Sequence, residues 1–288
     1  MKRVDEIKKR LSENDIDYLW RKLKRRIKPS IHINPEMADE DTIPLGSSKL
    51  GGRPDLPKNT DWFWESNLGT PLAFICQINF AEAKPYDIEN ILPSSGILYF
   101  FYNNINDTAP WGGDPKDASG KAVYYYDGDL SELERKDPPD DIDTEWCVFP
   151  SAKMNLELSF DLPGLDSFAL HSLKLTDDAY DDYCMLFDDD EYEAQQFKIL
   201  GTADASTVYD DRLDCEIVSR GLNSNDTCGW KRKLLRLTNL NRWKMLLQIG
   251  NHDDLNMWWG DVGMMTLWIA EKDLMKKNFD NTWFIRHA

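Results

Sequence analysis

One stretch constrains the fold more than any other: Trp243 to Ile269, WKMLLQIGNHDDLNMWWGDVGMMTLWI. An apolar run carrying one glutamine, Gln248, leads into a polar turn that ends in Trp258-Trp259-Gly260-Asp261. A second apolar run follows from Gly263. Two apolar runs of strand length joined by turn residues read as a hairpin-like β unit. A looser version precedes it, PLAFICQINF (Pro71 to Phe80) and then GILYFFY (Gly96 to Tyr102). Phe74 to Ile78 aligns with Met245 to Ile249, and Gly96 to Phe100 with Gly263 to Leu267. The spacing from glutamine to glycine is 19 residues in one and 15 in the other. Leu50-Gly51-Gly52 and Leu200-Gly201 stand ahead of the two runs, with Asp55 and Asp204 after them. Three features in the same order predict an internal duplication. Two repeats imply a pseudo-symmetric β-rich unit, because a solenoid needs more. The expected fold class is α+β, mainly antiparallel β, with halves at about 45–160 and 161–288 of a single domain, 30–288.

The glutamines need a physical explanation. An amide inside an apolar strand loses its water and must bond internally, and it supplies both donors and an acceptor. Gln77 and Gln248 therefore read first as ties that hold loop backbone. The alternative is a pair of amides facing a ligand cleft, with Asp261 as a general acid if the neighbouring indoles desolvate it. Trp62, Trp64, Trp258 and Trp259 are the candidate aromatic lining of such a site. Nothing else has the form of catalytic machinery. No Gly-x-Ser-x-Gly occurs, Cys76 lies mid-strand, and His252-Asp253-Asp254 reads as a surface turn. No catalytic residue, metal site or cofactor is assigned.

The formal charge is −17, and it is unevenly spread. Residues 1–28 hold eleven Lys/Arg and five Asp/Glu, which leaves −23 on the rest. An acidic body disfavours nucleic acid and anionic lipid and suits a basic protein partner. The basic segment, residues 1–29, reads as a helix or helix pair. Val4, Ile7 and Leu11 share one face, Leu19, Leu23 and Ile27 share another, Ser12 and Asp15 resemble a capping box, and Pro29 stops the helix. Its stripe is expected to pack on the body. No apolar run reaches the roughly 18 residues of a membrane span, and no secretory signal is evident. Five scattered cysteines without a Cys-x-x-Cys pair fit a reduced, cytoplasmic setting.

Along the middle of the chain, strands are expected at Ile31-His32-Ile33, Ala122 to Tyr126, Cys147-Val148-Phe149, Met154 to Phe160 and Glu216-Ile217-Val218. Residues 177–193 carry nine Asp/Glu in seventeen positions. Asp188 and Asp190 alternate, but no Gly sits where a calcium loop requires one, so the segment reads as a solvated acidic surface.

At these residues the chain resembles the YwqG-like family, an uncharacterised bacterial-type group. The matching stretches are Ser48 to Pro57 (SKLGGRPDLP), Pro71 to Phe80, Leu92-Pro93 through Tyr102, Trp243 through Ile249, Met257-Trp258 with Gly260-Asp261 and Gly263, and Asp273-Leu274 with Phe279. The chain departs from that family at Leu200 to Asp204, where Thr202-Ala203 replaces an aromatic-Pro pair. The resemblance implies an α+β, mainly antiparallel fold and brings no established activity. The functional expectation is a cytoplasmic, non-enzymatic protein that binds another protein, as an immunity or regulatory factor. The alternative is a small-ligand binder or hydrolase using Asp261, Gln77, Gln248 and the nearby tryptophans.

Overall fold

The structure is a computed structural model that describes residues 2–105, 109–112, 120–165, 167–187, 196–204, 210–222, 240–261 and 263–287. It is an α+β fold built on one large, curled, antiparallel sheet. The strands are β1 (Lys28–Met37), β2 (Lys49–Leu50), β3 (Asp55–Pro57), β4 (Ala73–Asn79), β5 (Ile97–Tyr102), β6 (Lys121–Tyr126), β7 (Leu133–Arg135), β8 (Ala152–Asp161), β9 (Lys198–Leu200), β10 (Trp243–Gly250), β11 (Met264–Ala270) and β12 (Trp283–His287). Ten of them form the sheet, in the order β12-β11-β10-β9-β1-β8-β2-β4-β5-β6, and β3 pairs with β7 in a separate two-stranded ribbon.

The centre of the sheet is an exchange. β1 lies just before β2 in the chain but pairs with β9, while β8 lies before β9 but pairs with β2. The two join each other over ten residue pairs, from Lys28↔Asp161 to Met37↔Ala152. β1 contains two prolines, which cannot donate to a ladder. Pro29 and Pro35 both lie outside Ser30 to His32, the only part of β1 flanked by strands on both sides.

β4, β5, β10 and β11 are buried along their whole length, apart from half-covered Lys244. One set of their side chains fills the inside of the curl with Ile75, Ile78, Phe100, Tyr102, Leu247, Ile249 and Leu267. The outward set needs its own cover. Over β4 and β5 the β3–β7 ribbon supplies it, with Leu56 and Leu133 against Phe74, Tyr99 and Phe101. Over β10 to β12 a helix, Asp211–Val218, supplies it, with Cys215 against Trp243, Met245, Trp268 and Ile285. Where the sheet curls round, its two ends approach, and Lys121 of β6 donates to the Thr282 carbonyl just before β12 (3.1 Å).

The longer helices are α1 (Lys2–Glu13), α2 (Asp177–Cys184) and α3 (Asp211–Val218). α1 and the turns after it bury Leu11, Ile16, Leu19 and Leu23 against Leu170, Tyr183 and Leu186. The expected stripe is thus real, but its partner is the helical segment around α2. Four sequence expectations need correction. The break after α1 comes at Asp15, which is left-handed (φ 59°), and the next helical turn has no side-chain cap, so Ser12 and Asp15 form no capping box. Pro29 is the second residue of β1 rather than the end of a helix. Glu216-Ile217-Val218 lies in α3, capped by the Asp210 side chain on the Arg212 N–H, and Leu213 and Ile217 share its buried face. Cys147-Val148-Phe149 forms no strand: Cys147 and Phe149 are buried while Val148 faces out. Asp188 and Asp190 lie outside the described residues.

Candidate functional site

The two glutamines belong to two buried polar clusters of matching construction. In the first, Lys49 ends in β2 opposite Gln77 of β4. Its ammonium contacts Asp55 (3.2 Å) and Glu40 (2.9 Å). Gln77 Oε1 accepts the Asp55 N–H at 2.8 Å, and Gln77 Nε2 donates to Asp55 Oδ2 and to the Ser47 carbonyl, both at 2.8 Å. In the second, Lys198 of β9 lies opposite Gln248 of β10. Its ammonium contacts Asp204 (2.6 Å) and Asp161 (3.3 Å). Gln248 Oε1 accepts the Asp204 N–H at 3.0 Å, and Gln248 Nε2 donates to Asp204 Oδ2 and to the Gln196 carbonyl. Each lysine precedes its aspartate by six residues and follows its carbonyl acceptor by two.

The second acid of each cluster comes from the end of an exchanged strand. Glu40 follows β1, and Asp161 ends β8. Glu40 accepts the N–H of Arg53 at 2.9 Å, and Asp161 that of Thr202 at 2.9 Å. These N–H groups lie four residues after the respective lysines. The glycine before each is required by that approach. A Cβ on Gly52 would stand 2.0 Å from Glu40, and one on Gly201 would stand 2.1 Å from Asp161.

The clusters differ in charge. Arg135 of β7 adds a second cation to the first, with Nε 2.8 Å from Asp55. Burial pushes the Lys49 pKa down, and Asp55 and Glu40 recover only part of that, with Arg135 opposing them. Asp55 itself is held below the usual range: burial would raise it, but Arg135 and Lys49 outweigh that. In the second cluster the extra groups are Ser30 and His32, on Asp161 at 2.6 and 3.3 Å. Burial there is overcome on both sides. Lys198 and His32 hold Asp161 down to about 2, and the two carboxylates raise Lys198. Charges this closely paired act as fixed supports of the loop backbone.

The remaining candidates lie apart. Gln77 and Gln248 are fully buried and five strands apart in the order of the sheet, and each amide is engaged within its own cluster. Asp261 is exposed. The turn that carries it is built by Asn251, whose Oδ1 accepts the Trp259 N–H (2.7 Å) and whose Nδ2 donates to the Gly260 carbonyl (2.7 Å). Trp259 points inward, bonding the Gly250 carbonyl (2.9 Å) and packing edge-on to Tyr102, while Trp258 is 56% exposed. Trp62 donates to the Leu72 carbonyl (2.9 Å) and packs on Phe101, and Trp64 faces solvent. Lys49, Lys198, Glu40, Asp161 and Arg135 escaped the sequence reading. The spacing Lys-x5-Asp, present in KLGGRPD and KILGTAD, was the available signal.

Among the described residues, no group of three or more His, Cys, Asp or Glu side chains is arranged to hold a metal ion, and no helix is long and apolar enough to cross a membrane. No curated protein matches the chain. One family model does, that of a family described as a domain of unknown function (DUF1963), over residues 48–287. That match takes in both lysine–aspartate–glutamine clusters and every strand but β1, and the chain belongs to this family.

Proposed function

We propose that the protein is a non-enzymatic, cytoplasmic binding protein that engages a basic protein partner, in the manner of an immunity or regulatory factor. The observation that carries this reading is an ordered acidic projection at residues 137–148. Asp140, Asp141, Asp143 and Glu145 are exposed there, as are Trp146 (41%) and Val148 (36%). The projection is rooted by buried Ile142, Cys147 and Phe149. Asp143 Oδ1 accepts the N–H of Glu145 (3.0 Å) and of Trp146 (3.1 Å), and Asn104 donates to the Trp146 carbonyl at 2.7 Å. An exposed indole in a stretch of exposed carboxylates has the anatomy of an interface anchor: the charges steer encounter and the aromatic supplies buried contact area. The internally bonded glutamine clusters support a non-enzymatic reading, since groups already satisfied by the fold are poor reagents.

The test compares the full chain with a Trp146→Ala, Asp140→Asn, Asp141→Asn variant in affinity capture at low and at high salt. The expected result is a basic protein retained by the parent at low salt, released at high salt and not retained by the variant. Retention by the variant, or a partner that is not basic, would reject the reading.

We also infer that the two halves descend from one duplicated, YwqG-like unit. Support comes from the equal Lys-to-Asp spacing and from the β-bulge three to one residues before each glutamine, between Phe74 and Cys76 and between Met245 and Leu247. Backbone conformation adds to it, with Gly51 (φ 57°) matched by Leu200 (φ 61°).

A further inference from the structure

Where the two ends of the curled sheet meet, a cavity of about 430 Å³ opens beside β6 and the start of β12. None of the sequence candidates lines it. Among the described residues its charged lining is Lys121, Arg242, Lys272, Asp273 and Asp280, a surplus of one positive charge. Trp243 and Phe284 form apolar wall. Lys121 is the first residue of β6, and among the described residues its ammonium donates to neutral oxygens alone, the Thr282 carbonyl (3.1 Å) and hydroxyl (3.4 Å). Asp280 acts on it from longer range. Asp273 already accepts from Asn281 (3.1 Å), and Arg242 is engaged by Glu216 (2.6 Å). Trp283, also in the lining, has a buried indole N–H with no acceptor among the described residues.

An ammonium held in a partly apolar cavity by neutral acceptors alone is an unfavourable arrangement, and an incoming anion relieves it. The two carboxylates in the lining disfavour a dianion, whereas a monoanion balances the surplus. The volume falls in the range of about 300–1,000 Å³ common for small-molecule sites. We propose that this cavity binds a small organic monocarboxylate, with its carboxylate on Lys121 Nζ and its apolar body against Trp243 and Phe284. Burial draws the free Lys121 ammonium down to about 8, so binding weakens as pH rises above that value, by up to tenfold per unit, because only the charged form attracts the anion.

The test is calorimetric titration of the full chain at pH 7 with phenylacetate, with 2-phenylethanol and phenyl phosphate as comparators. The expected result is saturable one-to-one binding of phenylacetate, at least tenfold tighter than either comparator. Lys121→Met lowers that affinity at least tenfold and removes its fall above pH 8. Lys272→Glu, at an exposed position, lowers it several-fold without touching the core, so it and the pH profile decide the matter even if the first variant folds poorly. Equal binding of the alcohol, unchanged binding in Lys121→Met, an affinity independent of pH between 7 and 10 in the parent, or no saturable binding in the millimolar range would each overturn the proposal.

Discussion

At the residue scale, Gln77 and Gln248 do the same physical work. Each amide closes a ring with one aspartate, accepting from its backbone N–H and donating to its carboxylate. Replacing Gln77 with Leu leaves the Asp55 N–H without its acceptor and the carboxylate with one donor fewer, in a place water does not reach. The expected cost is about 2–4 kcal/mol, read from the urea midpoint, and Gln248→Leu should cost a similar amount. A loss below about 0.5 kcal/mol, the range of ordinary surface changes, would show that the amides are not structural. Leu200 is the unusual residue here. It holds the same left-handed conformation as Gly51, a strained state for a branched side chain, and it remains because its side chain is buried in the core.

At the element scale, the outward faces of β4–β5 and of β10–β12 are covered by different devices, a two-stranded ribbon and a helix. α3 is latched by Asp211, which accepts from Thr266 (2.8 Å) and Trp268 (3.1 Å) and pairs with His287 of β12 at 3.1 Å. Burial would lower the His287 pKa, but Asp211 outweighs it and the net shift is upward. A raised histidine stabilises the fold fully below its unfolded value of about 6.5, and that stabilisation is lost as pH rises through the folded value. The latch is therefore expected to loosen as pH rises above about 6.5. Amide exchange of α3, corrected for its intrinsic pH dependence, should speed up between pH 6 and 9 in the parent and stay level in His287→Gln. Equal protection across that range in the parent would refute the latch. The helix itself was hard to read from sequence. Glu216-Ile217-Val218 is β-favouring locally, and only the apolar face of Leu213 and Ile217, seated on the sheet, settles it as helix.

At the scale of the whole molecule, the exchange of β1 and β8 decides what must be present for folding. The family match begins at residue 48, yet β1 sits between β9 and β8 in the middle of the sheet. A fragment of residues 48–287 would expose an edge on each of those strands and lose Ile31 and Ile33 from the core. It is expected to aggregate and to show no cooperative thermal transition. Removing residues 1–24 instead deletes only the cluster around Leu11, Leu19 and Leu23, so a cooperative transition should survive at a lower Tm. A native-like melt of the 48–287 fragment would mean that β1 is dispensable.

Much of the sheet was written locally. The runs around Gln77 and Gln248 and the aromatic strands after Gly96 and Gly263 are apolar over a strand's length, and such runs must be buried wherever the chain goes. The sequence by itself thus determined β4, β5, β10 and β11, the N-terminal helix and the need for two glutamines to find internal partners. It did not determine which partners. Nothing local marks Lys49 and Lys198 as buried until β2 and β9 are placed inside the sheet, and Glu40 and Asp161 reach them only because β1 and β8 exchange places at its centre. Pairings that span more than a hundred residues leave no local pattern. They arise from burial of the whole sheet at once, and for that reason only the tertiary structure decided them.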